Sequence, residues 1–190
     1  MPLIYSSGPD VFDYVFEHPS RGSALDFLGH AFPDGAGEFG HRNHTVVLLD
    51  GQIVGIGAAF GAKQAYRSAL GTGRQILAFY GLRHVVDISR RGLQLEGVLK
   101  APKGPMHYIS HLAVAPDRRS QGIGSRLVGH FLLQGRAFGR TVAALDVSVA
   151  NPRAQELYER LGFVVALEQA STLQNAHGAV PAHRRMERLI

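Results

Sequence analysis

The stretch Arg119-Ser120-Gln121-Gly122-Ile123-Gly124 decides the fold, because it separates two segments of different character. The apolar run 111–116 precedes it, and an amphipathic segment that reaches residue 138 follows it. The order is therefore strand, glycine-containing turn and helix start. Such a turn exposes backbone N–H groups at the positive end of the helix dipole, where glycine lets a ligand approach closely. The stretch predicts a phosphate-binding loop.

Spacing excludes two common phosphate loops. A Walker A loop needs a Gly-Lys-Ser/Thr triplet, which the chain lacks, and a dinucleotide fingerprint needs a third glycine where Leu127 stands. The remaining pattern is Arg-x-x-Gly-x-Gly after Leu-x-Val-x-Pro. It resembles the pyrophosphate loop of the GNAT superfamily of N-acetyltransferases, which use acetyl-CoA.

A second stretch, Leu145–Phe163, resembles a later motif of the same superfamily: a strand followed by Asn, Ala, Leu-Tyr and Gly-Phe. The residues also make sense without the resemblance. Asn151 suits a helix N-cap, Pro152 the first helical position and Gly162 the helix end. Phe163–Leu167 then has the pattern of a buried strand.

The resemblance implies an α/β fold, with a mixed, twisted sheet and helices on both faces. The strands that end near residues 115 and 149 would diverge, and acetyl-CoA would enter between them. Segment 184–190 would form the closing strand. A length of 190 residues suits one domain, 1–190, in which segment 62–105 is an insertion between the third and fourth strands.

Apolar periodicity predicts the structure of the first half of the chain. Two short helices are expected over Pro9–His18 and Ser23–Phe32. The strands Thr45–Leu49 and Ile53–Phe60 would pair as a hairpin through Asp50-Gly51, a strong turn signal. The insertion shows helical patches that glycines would interrupt. These glycines are Gly71, Gly73, Gly81 and Gly92.

The chain contains no cysteine, which excludes disulfides, zinc-thiolate sites and a cysteine nucleophile. It has no apolar run of about 18 residues, and its first residues lack the features of a signal peptide. A cytoplasmic protein without a membrane partner is expected. The pairs His41/His44 and His107/His111 lack a Glu or Cys that would complete a ligand set, and we expect no metal.

The net charge of +5 is concentrated in one segment. Residues 62–105 hold eight basic and two acidic side chains, an excess of +6. This excess predicts either a solvated helical face or contact with an anionic partner. The charges are spaced apart with few aromatics among them, which argues against nucleic acid. On the second interpretation, Arg83, Arg90 and Arg91 would bind a carboxylate or phosphate of the acceptor.

Acetyl transfer to an amine requires a base, stabilisation of the oxyanion and a proton for the thiolate. The resemblance implies that Tyr158 is the general acid; the alternative is a tyrosine packed on the apolar helix face. The resemblance also implies a base: Asp146 occupies the place where ribosomal-protein N-acetyltransferases carry a glutamate base. Alternatively, Asp146 is a surface residue of the strand without a catalytic role. Tyr108 and Ser110 are alternative candidates for the site of the base, where either could hold a water molecule. By alternation, His111 points to the opposite face.

The cofactor-binding residues that the resemblance implies come from the apolar strand, the loop and the second motif. The strand would bind the acetyl carbonyl and pantetheine through backbone N–H groups, and the loop would bind the pyrophosphate. The residues are Leu112, Ala113, Val114, Arg119, Ser120, Gln121, Gly122, Ile123, Gly124, Ser125 and Asn151.

The sequence therefore predicts an acetyl-CoA-dependent N-acetyltransferase. Without a cysteine to form an acyl-enzyme, transfer would be direct, in a ternary complex. The acceptor amine, a small molecule or a peptide, and any homo-oligomer stay open, because one fold hosts many substrates. Two alternatives are a CoA-binding sensor or partner domain without catalysis, and a basic nucleic-acid-binding protein built on residues 62–105.

Overall fold

A computed structural model describes all 190 residues, Met1–Ile190, and contains seven α-helices and eight strands. In chain order these are α1 (Pro2–Ser6), α2 (Pro9–Phe16), α3 (Ala24–Asp34), β1 (His44–Leu49), β2 (Gln52–Phe60), α4 (Ala62–Tyr80), α5 (Val85–Leu95), β3 (Met106–Val114), α6 (Ile123–Ala137), β4 (Val142–Ser148), α7 (Pro152–Arg160), β5 (Val164–Gln169), β6 (Gln174–Asn175), β7 (Gly178–Ala179) and β8 (His183–Leu189).

Six strands form one mixed sheet in the order β1-β2-β3-β4-β8-β5. Only β3 and β4 run parallel; the other neighbours are antiparallel. The hairpin predicted at Asp50-Gly51 is confirmed, with both turn residues at positive φ, +51° and +76°. The expected closing strand is also confirmed, as β8 between β4 and β5.

The insertion differs from its prediction, because α4 and α5 are continuous helices. Gly71 and Gly73 lie inside α4 and Gly92 lies inside α5, so only Gly81 ends a helix. A Cβ at position 71 would lie 2.3 Å from the Ala36 carbonyl oxygen, so this glycine permits close packing instead of breaking the helix. The insertion follows the second strand rather than the third, because helices alone precede β1.

Two apolar cores cover opposite faces of the sheet. The N-terminal core consists of Ile4, Phe12, Tyr14, Val15, Phe16, Ala24, Phe27, Leu28, Ala31, Phe39, Ile56, Ile76, Tyr80, Ile88, Val98, Ala113 and Val180. The α6 core consists of Val54, Ile109, Ile123, Leu127, Val128, Phe131, Leu132, Ala143, Leu145, Val147, Tyr158, Phe163 and Met186. The predicted covering of both faces by helices is therefore confirmed.

The strand predicted to be buried, β5, lies at the edge of the sheet. Its residues Val164, Val165 and Leu167 are 66%, 44% and 44% exposed, and within the predicted stretch Phe163–Leu167 only Phe163 is buried. The prediction of burial is wrong because β8 inserts between β4 and β5 and leaves β5 with one neighbour. None of the helices is both long and apolar enough to cross a membrane.

Candidate active site

The candidate site lies where β3 and β4 separate. The two strands pair only over Met106–Tyr108 and Val142–Ala144, while β3 stays paired with β2 as far as Val114. Beyond Tyr108, the edge of β3 that faces β4 therefore carries backbone groups without a strand partner. This is the divergence expected from the sequence, and a cleft of about 580 Å³ lies there.

The cleft brings together Tyr158, Asp146 and nearly all of the cofactor-binding residues expected from the sequence. Among these, Gln121 is the exception: it does not line the cleft, and its amide donates to the Asp117 carbonyl at 3.5 Å. The selected residues that do line it are Leu112, Ala113, Val114, Arg119, Ser120, Gly122, Ile123, Gly124, Ser125, Asp146, Asn151 and Tyr158.

The loop before α6 leaves the helix N-terminus open toward the cleft. Gly122, the N-cap of α6, has φ +76°, and Ser120 has φ +62°. No side chain caps the first N–H groups of α6, and no acidic residue lies in its first turn. These N–H groups are therefore free donors for an anion.

Four arginines line the cleft, of which the sequence motif marked only Arg119. Arg118 belongs to the same loop, and Arg153 and Arg160 come from α7. Arg153 donates to the Ser120 hydroxyl at 2.6 Å, which ties α7 to the loop. The proximity of α7 to the loop is a tertiary feature, so no local signal could have assigned these side chains. Together they make this part of the cleft positive.

Tyr158 reaches the cleft from α7. Asn151 caps this helix as predicted, by accepting a hydrogen bond from the Ala154 N–H at 3.1 Å. The Tyr158 ring packs edge-on against Phe163 and is 8% exposed. Burial raises the pKa of Tyr158 to about 12. The hydroxyl is therefore protonated at neutral pH and available as a donor.

Asp146 is held in a buried ion pair and is 3% exposed. Its Oδ1 accepts from Arg185 Nε at 2.9 Å, and its Oδ2 accepts from Arg185 Nη2 at 2.6 Å. The Tyr108 hydroxyl also donates to Oδ2, at 2.8 Å. Both carboxylate oxygens of Asp146 and the hydroxyl of Tyr108 are thus engaged in hydrogen bonds.

The other two residues considered as bases lie on the same strand. Ser110 has a buried hydroxyl without a hydrogen-bond partner. At His111 the pairing of β3 with β2 slips by one residue, and His111 has φ +52°. This β-bulge turns the side chain into the N-terminal core, against Phe12 and Phe39. The prediction that His111 faces away from Ser110 is wrong, because the bulge breaks the two-residue period.

A chain of titratable groups extends from His111. His44 Nδ1 lies 3.0 Å from the Gly40 carbonyl oxygen, His44 Nε2 lies 3.1 Å from His111 Nδ1, and His111 Nε2 lies 3.6 Å from Glu38 Oε1. Burial, helped by the nearby His44, lowers the pKa of His111 to about 3. Although 37% of the Glu38 side chain stays accessible, burial of the carboxyl raises the pKa of Glu38 to about 7.

His183 is a residue of the cleft that sequence reasoning missed. It begins β8, is 7% exposed and lines the cleft together with Tyr158 and Asp146. Its Nδ1 lies 2.8 Å from the Pro181 carbonyl oxygen, which can only accept, so Nδ1 carries the hydrogen and Nε2 keeps a lone pair. Burial lowers the pKa of His183. No motif marks this residue, because its place depends on β8 pairing beside β4.

The arginines expected to bind the acceptor, Arg83, Arg90 and Arg91, do not line the cleft. Arg90 and Arg91 both pair with Asp87, at 3.3 and 2.5 Å, and Arg91 also donates to the Glu17 carbonyl. The basic side chains of residues 62–105 therefore do not line this cleft.

The model of the acetyltransferase (GNAT) family matches residues 13–163. The chain belongs to the GNAT family. Mycothiol acetyltransferase of Rhodococcus jostii is 30% identical over 121 residues, 64% of this chain and 37% of that protein. An uncharacterized N-acetyltransferase of Methanocaldococcus jannaschii is 40% identical over 55 residues, 29% of this chain and 24% of that protein. The match thus spans well under half the length of either curated GNAT relative.

A solved structure shows the same GNAT fold. The N-acetyltransferase from Staphylococcus aureus Mu50 has a TM-score of 0.63 to this chain, at 15% identity, and the match covers 98% of this chain and 92% of that one. This likeness confirms the mixed GNAT sheet with helices on both faces that the sequence predicts.

Proposed function

We propose that the chain is an N-acetyltransferase that passes the acetyl group of acetyl-CoA directly to an amine. The supporting observation is the cleft, in which an open helix N-terminus, an unpaired strand edge and a buried tyrosine meet. When bound, acetyl-CoA supplies an acetyl thioester. The chain has no cysteine that could carry the acetyl group, which favours direct transfer in a ternary complex.

Two parts of the cleft would hold acetyl-CoA. The first turn of α6, with Arg119 and Arg153 beside it, would bind the pyrophosphate through N–H groups and guanidinium donors. The unpaired backbone N–H groups over Leu112–Val114 would bind pantetheine and the acetyl carbonyl. The same donors would stabilise the negative charge that develops on the carbonyl oxygen during transfer.

Tyr158 would act as general acid and His183 as base. The raised pKa of Tyr158 preserves its proton for the departing sulfur. His183 Nε2 would take the proton that the attacking amine loses when the C–N bond forms and the C–S bond breaks. Asp146, the base expected from the sequence, would instead position Arg185 and Tyr108, because both of its oxygens are engaged.

Asp10 indicates the class of acceptor. It lines the cleft, is exposed, and is the one carboxylate there other than Asp146. Burial lowers the pKa of His183, and the charges of Asp146 and Asp10 oppose that lowering. An exposed carboxylate in the cleft attracts a protonated amine. We therefore propose a cationic amine, in a small molecule or a peptide, in place of the anionic acceptor expected from the basic segment.

A thiol-release assay with acetyl-CoA and a panel of amines tests this proposal. We expect turnover with a cationic amine, and we expect Asp10→Asn to raise the KM for that amine while CoA affinity is unchanged. His183→Gln should lower kcat on the order of 10²–10⁴ and abolish its rise with pH. If Asp146→Asn abolishes that rise and His183→Gln does not, Asp146 is the base. CoA binding without turnover on any amine would indicate a non-catalytic CoA-binding domain.

A further inference from the structure

A second cavity, of about 430 Å³, lies away from the cleft. Its walls come from residues 42–45 at the start of β1, the end of β2, the start of α4, the start of β3, the last turns of α6 and the segment that follows α6. Along α6, the lining of the cleft ends at Ser125 and that of this cavity begins at Phe131, and no residue lines both. At a rise of about 1.5 Å per residue, the two linings are roughly 9 Å apart along the helix at their nearest. A ligand in one would leave the other free.

Four cations surround this cavity without an acidic partner. Arg42, Lys63, Arg67 and Arg140 line it, and no Asp or Glu does. None of the four takes part in an ion pair in the structure. Like charges that converge on one cavity repel one another, and a bound anion would remove that repulsion.

Two buried groups at the cavity lack hydrogen-bond partners. One is Arg140 Nε, a donor. The other is Nδ1 of His107, a side chain that is 1% exposed and lines the cavity. Since His107 Nε2 lies 3.1 Å from Gln134 Oε1 and donates to it, Nδ1 is left as an acceptor. Buried polar groups without partners are rare, and both of these belong to side chains that line the cavity.

The start of α4 adds a further set of donors. This helix has 19 residues, no capping side chain and no acidic residue in its first turn, and its N-cap Gly61 lines the cavity. A Cβ at position 61 would lie 2.6 Å from Arg140 Nη2. The absence of a side chain at Gly61 therefore lets the Arg140 guanidinium lie directly against the helix start, and both line the cavity.

We propose that this cavity is a binding site for a phosphate group, separate from the acetyl-CoA site and independent of the reaction proposed above. A phosphate offers acceptor oxygens to Arg140, to the neighbouring cations and to the α4 N–H groups. In its monoprotonated form it also offers a hydroxyl to His107 Nδ1. Phenylalanines add apolar wall, so free phosphate and a phosphomonoester are both accommodated. These are Phe60, Phe131 and Phe138.

Calorimetric titration of the whole chain with inorganic phosphate tests the site, with saturating CoA present to occupy the cleft. We expect one phosphate to bind, and Arg140→Gln to weaken its affinity about tenfold or more, because a charge-assisted hydrogen bond is lost. Arg136→Gln is the matched control: it removes the same charge four residues earlier in the chain, but Arg136 is exposed and does not line the cavity. Its phosphate affinity should equal that of the unmodified chain.

A second variant separates geometry from charge. Gly61→Ala retains all four cations but displaces the Arg140 guanidinium, so it should also weaken phosphate binding. If Arg140→Gln does not fold, the exposed Lys63→Gln makes the same test. The inference is overturned if phosphate does not bind with CoA present, or if Arg136→Gln weakens binding as much as Arg140→Gln. Glycerol phosphate binding more tightly than phosphate would identify a phosphomonoester as the ligand; equal affinities would identify free phosphate.

Discussion

The two cores of this molecule cover the two faces of one sheet and differ in amino-acid composition. The N-terminal core is richer in aromatic side chains, with six among its 17 residues, and the contacting rings of Phe12, Phe16, Phe27 and Phe39 have centroids 4.3–6.4 Å apart. The α6 core has three aromatic side chains among its 13 residues. The side chains of the α6 core extend from the loop that would hold the cosubstrate to Tyr158, whereas the helices of the N-terminal core supply Asp10 at the cleft.

The two faces of the sheet supply different groups to the cleft. Groups that would bind acetyl-CoA and protonate its sulfur come from residues 112–160, and groups near the amine come from the segment before β1 and from β8. Changes on the α6 side should therefore affect chemistry and cosubstrate binding. Changes in the N-terminal core should affect stability and leave turnover intact.

The largest effect is expected from Tyr158→Phe, which removes the proposed proton donor from the α6 side. We expect turnover to fall on the order of 10²–10⁴ with little change in CoA affinity, measured by steady-state thiol release and by titration. Tyr14→Phe is the matched change in the N-terminal core, where the Tyr14 hydroxyl donates to Gln94 Oε1 at 3.0 Å. It should cost about 1 kcal/mol of stability and no turnover. Equal turnover in the two variants would contradict the proposal that the α6 side of the sheet supplies the catalytic groups.

The next effect concerns the ion pair between β4 and β8. Arg185→Gln leaves the buried Asp146 carboxylate without its cation, and urea unfolding should show a loss of roughly 3–5 kcal/mol. Its control is the adjacent Arg184→Gln, which removes an exposed pair with Glu168 and should cost at most about 1 kcal/mol. A small loss in Arg185→Gln would mean that water reaches Asp146, which would restore it as a base.

A somewhat smaller effect is expected from Gly122→Asp at the loop. CoA at about 100 times its Kd should stabilise the chain by roughly 2.7 kcal/mol, and this variant should lose that gain, because its carboxylate repels the pyrophosphate. Gly139→Asp is the control at the other end of α6. Gly139 also has positive φ, +66°, and also has open space around its Cβ position. Thermal melting with and without CoA checks both; a full CoA shift in Gly122→Asp would contradict the cosubstrate site.

The smallest effect is expected in the pH dependence of stability, through Glu38 beside the N-terminal core. The pKa of Glu38 is raised from its ordinary value of 4.5 to about 7, so the folded state holds a proton that the unfolded chain releases. Stability should therefore fall as the pH rises from about 4.5 to about 7. Glu38→Gln should remove part of this fall in melting temperature, whereas the exposed Glu96→Gln should not. Identical pH profiles in both variants would show that the Glu38 carboxyl is solvated.

Sequence reasoning succeeded where the determinants are local. The starts of α6 and α7 and the end of α7 depend on Gly122, on Asn151 and on Gly162, each of which acts within a few residues. The cleft could be anticipated for the same reason, because the loop and the Tyr158 helix each carry a recognisable local pattern.

The failures all involve contacts between distant segments. Gly71 suggests a helix break, but it is a packing site against Ala36. The bulge at His111 follows from pairing with β2, and the role of His183 follows from the position of β8. None of these contacts leaves a periodic signal in the sequence, so each requires the fold before it can be recognised.

The position of β8 also imposes an order on folding. Residues 183–189 follow β5 in the chain, yet they lie between β4 and β5 and carry the arginine that pairs with Asp146. Before they dock, β4 and β5 each present an unpaired edge, and a buried carboxylate has no counter-charge. A nascent chain that has emerged only through β5 would therefore expose strand edges at which other chains could pair. The cleft would reach its working geometry in one late, long-range step of folding.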